Sequence, residues 1–143
     1  MAAATEKSIA ELERKYWPKL GPEASHFHRR CYDAVTKPIS ALSVADLRLL
    51  ISQDIGLGFV VPIALEIVEK DPLLESEHFK GDLLTAILSA SKDFYREHPA
   101  IHARVEKLLG VLPAALDKLD HVDFDTTVEA IEEASSDFRN LRL

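Results

Sequence analysis

The chain has 143 residues, of which 47% are hydrophobic and 29% are charged, and its formal net charge is −7. This length is typical of one globular domain. An acidic protein of this size repels nucleic-acid phosphates and anionic lipid and favours a basic protein partner, so neither nucleic acid nor a membrane is expected to bind.

The expected location is the cytoplasm. Cys31 is the only cysteine, so an internal disulfide is excluded and a reducing compartment is favoured. The N-terminal sequence has no apolar stretch of the kind found in a signal peptide. The longest apolar run, FVVPIAL, is far shorter than the roughly 20 residues that cross a bilayer.

Two serine motifs mark predicted helix starts. Ser8 and Glu11 are spaced as a capping box, in which a serine hydroxyl and a glutamate satisfy the first free N–H groups of a helix. This helix is predicted to end near Pro18, because proline disfavours helical geometry in the residue before it. Ser43 and Asp46 repeat the motif with aspartate in place of glutamate and predict another start.

The helices around the second motif are predicted from apolar spacing and from breakers. Residues 24–36 carry Phe27 and Cys31 on a face that is predicted to be buried. Gly56 is predicted to be a left-handed cap that ends the helix after Ser43. The next helix is predicted to be central and to start immediately before Pro62, because proline is tolerated only in the first turn.

The second half of the chain is predicted to form four helices. They begin at Asp82, at Pro99, at Pro113 and at a third capping box in 126–129. Gly110 is expected to end the second of them, and Phe124 is expected to face inward beside the last. Strand-like alternation never continues for more than a few residues. The predicted fold is therefore all-α: a single compact domain, residues 1–143, of about seven or eight short helices with no substantial β-sheet.

Two groups of residues have ligand types that suit a metal ion. They are His26, His28 and Cys31, and His98, His102 and Glu106. In the first group the two histidines point about 200° apart on a helix and cannot share a metal. The second group shares one helix face but lacks the H-E-x-x-H order. A solvated helix face is the favoured interpretation, and a small metal-dependent enzyme is the alternative.

Other catalytic signatures are missing from the sequence. It contains no G-x-S-x-G, P-loop or G-x-G-x-x-G motif. Glu66 is the one carboxylate within an apolar run, where a general acid with a raised pKa would lie, but its spacing from Glu69 indicates an exposed helix edge. The sequence therefore predicts no catalytic residue, no metal and no cofactor, and the protein is not expected to be an enzyme.

Acidic residues are concentrated in two regions. From 117 to 143 there are eight acids and three bases, which gives −5 of the total charge of −7. A second group surrounds the 71–82 segment. These acids form either a solvated face or a docking surface for a basic protein. The predicted partner-binding residues are Glu66, Glu69, Glu75, Glu77, Asp82, Asp120, Asp123, Asp125, Glu129, Glu132 and Glu133.

Residues 37–84 carry a family resemblance. The segments that carry it are KPISALSVADLRLLISQDIGL, VVPIALEIVEKDPLLE and FKGDLL. They resemble the immunity proteins of bacterial contact-dependent growth inhibition (CDI) systems. The resemblance extends more loosely to Ile9–Glu13 with Trp17 and to 94–99. Ser52 stands where glycine is more usual in the family, and the sequence after Gly110 matches weakly.

The resemblance implies a cytoplasmic antidote. Such proteins bind the toxin domain at the C-terminus of a large surface exoprotein and block its active site or substrate groove. The toxins are frequently nucleases, including RNases that attack transfer RNA, and such nucleases tend to be basic. The apolar motif residues are expected in the core: Leu47, Leu50, Ile55, Leu57, Ile63 and Leu65. The alternative function is a helical protein-interaction adaptor or regulator unrelated to toxins.

Overall fold

A computed structural model describes residues 6–143, and for residues 121–123 it describes the helical backbone alone. The helices are α1 (Ile9–Glu13), α2 (His26–Thr36), α3 (Val44–Ser52), α4 (Leu57–Lys70), α5 (Asp82–Leu88), α6 (Lys92–Glu97), α7 (Pro99–Leu116) and α8 (His121–Arg139). A 3₁₀ turn covers Ile39–Ala41. Residues 6–143 contain no β-strand. The predicted all-α fold is confirmed.

Both serine caps form as predicted. The Ser8 hydroxyl accepts the Glu11 N–H at 3.1 Å, and the Glu11 carboxylate accepts the Ser8 N–H at 3.1 Å. Ser43 and Asp46 make the equivalent pair of bonds at the start of α3. The predicted end of α1 near Pro18 is wrong, because Arg14 turns left-handed (φ 53°) and stops the helix there.

Gly56 has the predicted left-handed conformation (φ 62°) but a different role. It precedes α4 as its N-cap. α3 is ended earlier by Asp54, also left-handed (φ 55°), and the Ile55 N–H closes the turn by donating to the Leu50 carbonyl at 2.9 Å. A Cβ at Gly56 would lie 2.8 Å from the Ile9 side chain, so the position is closed to larger residues.

Two prolines lie inside helices, contrary to the prediction that each would begin one. Pro62 is the sixth residue of α4, and Pro113 lies in the last turns of α7, which continues through Gly110. A proline in either position removes one hydrogen bond of the helix. Packing outweighs this loss, because Val60, Val61 and Leu112 next to these prolines are buried.

The core is formed where α3, α4 and α5 pack together, with α8 against α5. Leu47, Leu50, Leu57 and Leu65 are buried, as expected, whereas Ile55 and Ile63 are partly buried and pack against the core. Cys31 on α2 is buried, and α2 packs against α1 and α3. None of the described helices is long and apolar enough to cross a membrane.

Two aromatic residues predicted to be buried are exposed. Phe27 on α2 is 45% exposed and Phe124 on α8 is 42% exposed. The predicted capping box in 126–129 is also wrong, because α8 already begins at His121. Thr127 lies inside this helix, is 1% exposed, and donates its hydroxyl proton to the Lys80 carbonyl at 2.9 Å.

Candidate functional site

Arginines bind two of the predicted partner-binding acids. Glu77 accepts hydrogen bonds from Arg30 at 3.0 Å and from Arg48 at 3.5 Å. The hydrogen bond from Arg30 holds the pKa of Glu77 below its usual value. Glu69 on α4 accepts two hydrogen bonds from Arg104 on α7, and these lower the pKa of Glu69. Both carboxylates join elements of the protein to one another.

Asp82 is buried, and this corrects its assignment to the surface. It is 3% exposed, and its carboxylate accepts the backbone N–H groups of Ser76 (2.7 Å), Glu77 (3.0 Å) and His78 (2.8 Å). Burial would raise the pKa of Asp82, but these hydrogen bonds hold it below its usual value. In this conformation Asp82 shapes the 71–81 loop and presents no oxygen to a partner.

Two acids near the loop remain exposed. Glu66 lies 3.9 Å from Lys70 on the same face of α4, and both side chains are largely in solvent. Glu75 is exposed and forms an isolated backbone bridge with Lys80. An exposed pair of this kind contributes little to stability. Because the Glu66 side chain is largely in solvent, it is accessible to a partner.

The acids of α8 are organised differently. Asp125, Glu129, Glu132 and Glu133 are exposed, and none of them forms an ion pair with another described residue. We call these four residues the α8 acidic surface. Asp120 is exposed just before the helix. The predicted site residue Asp123 has a side chain outside the part of the chain that the structure describes.

Two depressions flank this surface. The first, shallow and about 720 Å³ in volume, is lined by all four acids together with Phe124 and Val128. The second lies between α7 and α8 and has a volume of about 510 Å³. We call it the α7–α8 groove. Its lining includes Leu112, Leu116, Phe124, Val128 and Ile131, with Glu132 at its edge. Apolar and acidic groups are therefore adjacent.

The second candidate metal group, His98, His102 and Glu106, makes contacts within the protein. His102 bonds Glu106 at 2.8 Å through Nδ1, and its ring stacks on Phe138 with centroids 4.7 Å apart. The Nδ1 atom of His98 lies 2.9 Å from the Phe94 carbonyl oxygen. Among the described residues no group of three or more His, Cys, Asp or Glu side chains is arranged to hold a metal ion.

The residues of the first candidate metal group do not share one environment. His26 and His28 are exposed, whereas Cys31 is buried. Burial raises the pKa of the Cys31 thiol. A buried thiol with a raised pKa is less reactive, because the nucleophile and metal ligand is the thiolate.

Sequence reasoning proposed the α8 acids as site residues but did not include their apolar neighbours. Phe124 and Val128 are four residues apart and share a helix face with Ile131. This spacing led to the prediction that Phe124 faces inward. The structure buries Ile131 and leaves Phe124 at the surface. Periodicity shows which residues share a helix face, but it does not show which of them a neighbouring element covers.

The structure is thus an all-α domain with charged and apolar side chains exposed along α8. The chain matches a family model described as CDI immunity proteins over residues 11–105 and belongs to that family. It is thus an immunity protein directed against a CDI toxin. No curated protein matches the chain, and no solved structure matches it. α8 lies beyond the matched residues.

Proposed function

We propose that this immunity protein acts in the cytoplasm by binding the C-terminal domain of its cognate CDI toxin through the α8 acidic surface, without catalysing a reaction. The toxin is proposed to be a basic nuclease, with transfer RNA as a candidate substrate. The observation that carries the proposal is that Asp125, Glu129, Glu132 and Glu133 are exposed and have no ion-pair partner among the described residues.

The distribution of paired and unpaired acids supports this surface over the 71–82 region. Glu69 and Glu77 already have arginine partners, so a toxin cation would have to compete with those arginines. The four carboxylates of the α8 acidic surface have no such competitor among the described residues. Clustered like charges repel one another in the free protein, and a basic partner relieves that repulsion while it accelerates association.

Direct occlusion is the proposed mode of inhibition. A nuclease must attract phosphates, and its substrate groove is therefore rich in lysine and arginine. A row of carboxylates on a helix offers the same type of charge. Bound in this way, the immunity protein would exclude RNA without altering the fold of the toxin.

Calorimetric titration of the protein into the C-terminal domain of the exoprotein encoded immediately upstream tests the proposal, together with an RNA-cleavage assay. We expect one-to-one binding with a nanomolar Kd or tighter, about −12 kcal/mol, and loss of cleavage. The double variant Glu129→Lys/Glu133→Lys is expected to weaken binding at least tenfold at low salt, because it replaces attraction with repulsion.

The matched control is Glu13→Lys/Glu23→Lys. It makes the same change in net charge at exposed positions on α1 and before α2, and we expect less than a threefold change in Kd. An equal loss in both variants would show that only net charge matters. A toxin domain that is folded and does not bind would contradict the proposed function and favour the helical adaptor.

A further inference from the structure

The α7–α8 groove has an apolar floor and one exposed aromatic edge. Leu112 from α7 and Ile131 from α8 are buried at its base, whereas Phe124 at its edge is 42% exposed. Val128 is partly exposed one turn further along α8. The volume of about 510 Å³ is within the range of sites that enclose a ligand, and one large side chain of a partner fits within it.

The charged groups around the groove are mainly acidic. Phe124 and Val128 line the groove and the shallow depression alike, so the apolar edge adjoins the α8 acidic surface. Asp117 and Glu132 lie on the groove itself. Among the described residues of the lining, Arg139 at the C-terminal end of α8 is the one cation. An occupant with cations beside its apolar group is therefore attracted to the acidic edge of the groove.

The acidic charge beside the groove favours one kind of occupant over others. A second copy of the chain carries the same −7 charge, and symmetric pairing through the groove would bring two α8 acidic surfaces together. Anionic lipid would meet the same repulsion. A basic protein that presents an apolar side chain complements both features: the apolar side chain fits the groove, and the cations fit its acidic edge.

We infer that the α7–α8 groove is the anchor pocket of the toxin interface: it receives one large apolar side chain of the toxin domain, and lysine or arginine residues flanking that side chain contact the α8 acidic surface. This inference rests on the proposed function. An apolar anchor enclosed by charged groups is the arrangement in which few residues supply most of the binding energy. The anchor then governs dissociation, whereas the exposed charges govern association.

The test is surface plasmon resonance and calorimetry with the upstream toxin domain and the variant Phe124→Ala. We expect dissociation to accelerate tenfold or more, with an association rate constant within threefold of wild type. The heat-capacity change of binding should become less negative, because less apolar surface is buried. Glu129→Lys/Glu133→Lys is expected to show the reverse kinetic pattern, with slower association.

The matched control is Val111→Ala, since Val111 is 56% exposed on α7 and lines neither depression. It should leave dissociation within twofold of wild type. Val128→Thr provides a second test with almost no change in side-chain shape, and it should accelerate dissociation at least threefold even if Phe124→Ala is poorly folded.

The two proposals fail in different ways. Wild-type protein that does not bind the toxin domain overturns both. Wild-type binding that is sensitive to Glu129→Lys/Glu133→Lys but unaffected by Phe124→Ala and Val128→Thr overturns the anchor pocket alone.

Discussion

Asp82 shows how a single carboxylate can organise a loop. Its two oxygens accept three successive backbone N–H groups from residues 76–78. Gly81, immediately before it, turns left-handed (φ 88°), and a Cβ there would lie 2.8 Å from Ile131 on α8. Two contacts therefore hold the 71–81 loop in its conformation: the Asp82 carboxylate binds its backbone N–H groups, and α8 packs against Gly81.

We expect Asp82→Asn to lower the free energy of unfolding by about 2 kcal/mol at pH 7, because an amide has one acceptor oxygen and a weaker attraction for N–H groups than a carboxylate. The folded-state pKa of Asp82 lies below its ordinary value of 3.8. The carboxylate therefore stabilises the fold above about pH 3.8, and this contribution is lost as pH falls through the folded-state pKa.

Urea denaturation of wild type and Asp82→Asn at pH 7 and near pH 3 measures this effect. The difference between the two proteins should be largest at pH 7 and should shrink as the pH is lowered. A difference that is independent of pH would show that the charge on Asp82 does not contribute. Glu75→Gln, which changes an exposed acid in the same loop, should remain within about 0.5 kcal/mol of wild type.

At the scale of elements, the serine caps located helix starts, whereas several glycines and prolines gave wrong helix boundaries. The Ser8 and Ser43 caps are local, since each involves residues three apart. Gly110 and Pro113 were read as breakers, yet α7 runs through both. Local propensity favours a break there by about 1–3 kcal/mol. Burial of Leu108, Leu109 and Leu112 on one face outweighs it.

The continuity of α7 makes Gly110→Ala a stabilising substitution. Gly110 is exposed inside the helix, and a Cβ there would have no heavy atom within 4 Å. Alanine should raise the free energy of unfolding by about 1 kcal/mol, because glycine has the greater backbone freedom in the unfolded chain.

Thermal and urea denaturation would detect the gain. Gly56→Ala is the contrasting variant, because the left-handed backbone at Gly56 and the nearby Ile9 side chain both disfavour a Cβ; it should be destabilised by more than about 1 kcal/mol. A destabilised Gly110→Ala protein would instead indicate that α7 ends at Gly110.

At the scale of the whole molecule, the net charge of −7 is divided between paired and unpaired groups. Glu69 on α4 and Glu77 in the 71–81 loop bind arginines of α2, α3 and α7. The four acids of the α8 acidic surface are exposed and form no ion pair with a described residue. These four charges therefore present to a partner a field that no ion pair with a described residue offsets.

We expect the association rate with the toxin domain to fall at least tenfold between about 50 mM and 500 mM salt, because screening shortens the range of this field. Dissociation should change less than threefold, since the apolar anchor is insensitive to salt. Stopped-flow fluorescence at a series of salt concentrations measures both rates. An association rate that does not depend on salt would contradict a role for the α8 acidic surface.

The sequence by itself determined the helical class, the serine caps and the apolar motif residues of the family, because these depend on contacts between residues a few positions apart. Only the tertiary structure decided which acids are available. Glu77 and Arg30 are 47 residues apart in the chain, and Glu69 and Arg104 are 35 apart. Such pairs form only when the folded chain brings them together, so a carboxylate bound within the protein and one open to a partner look the same in the sequence.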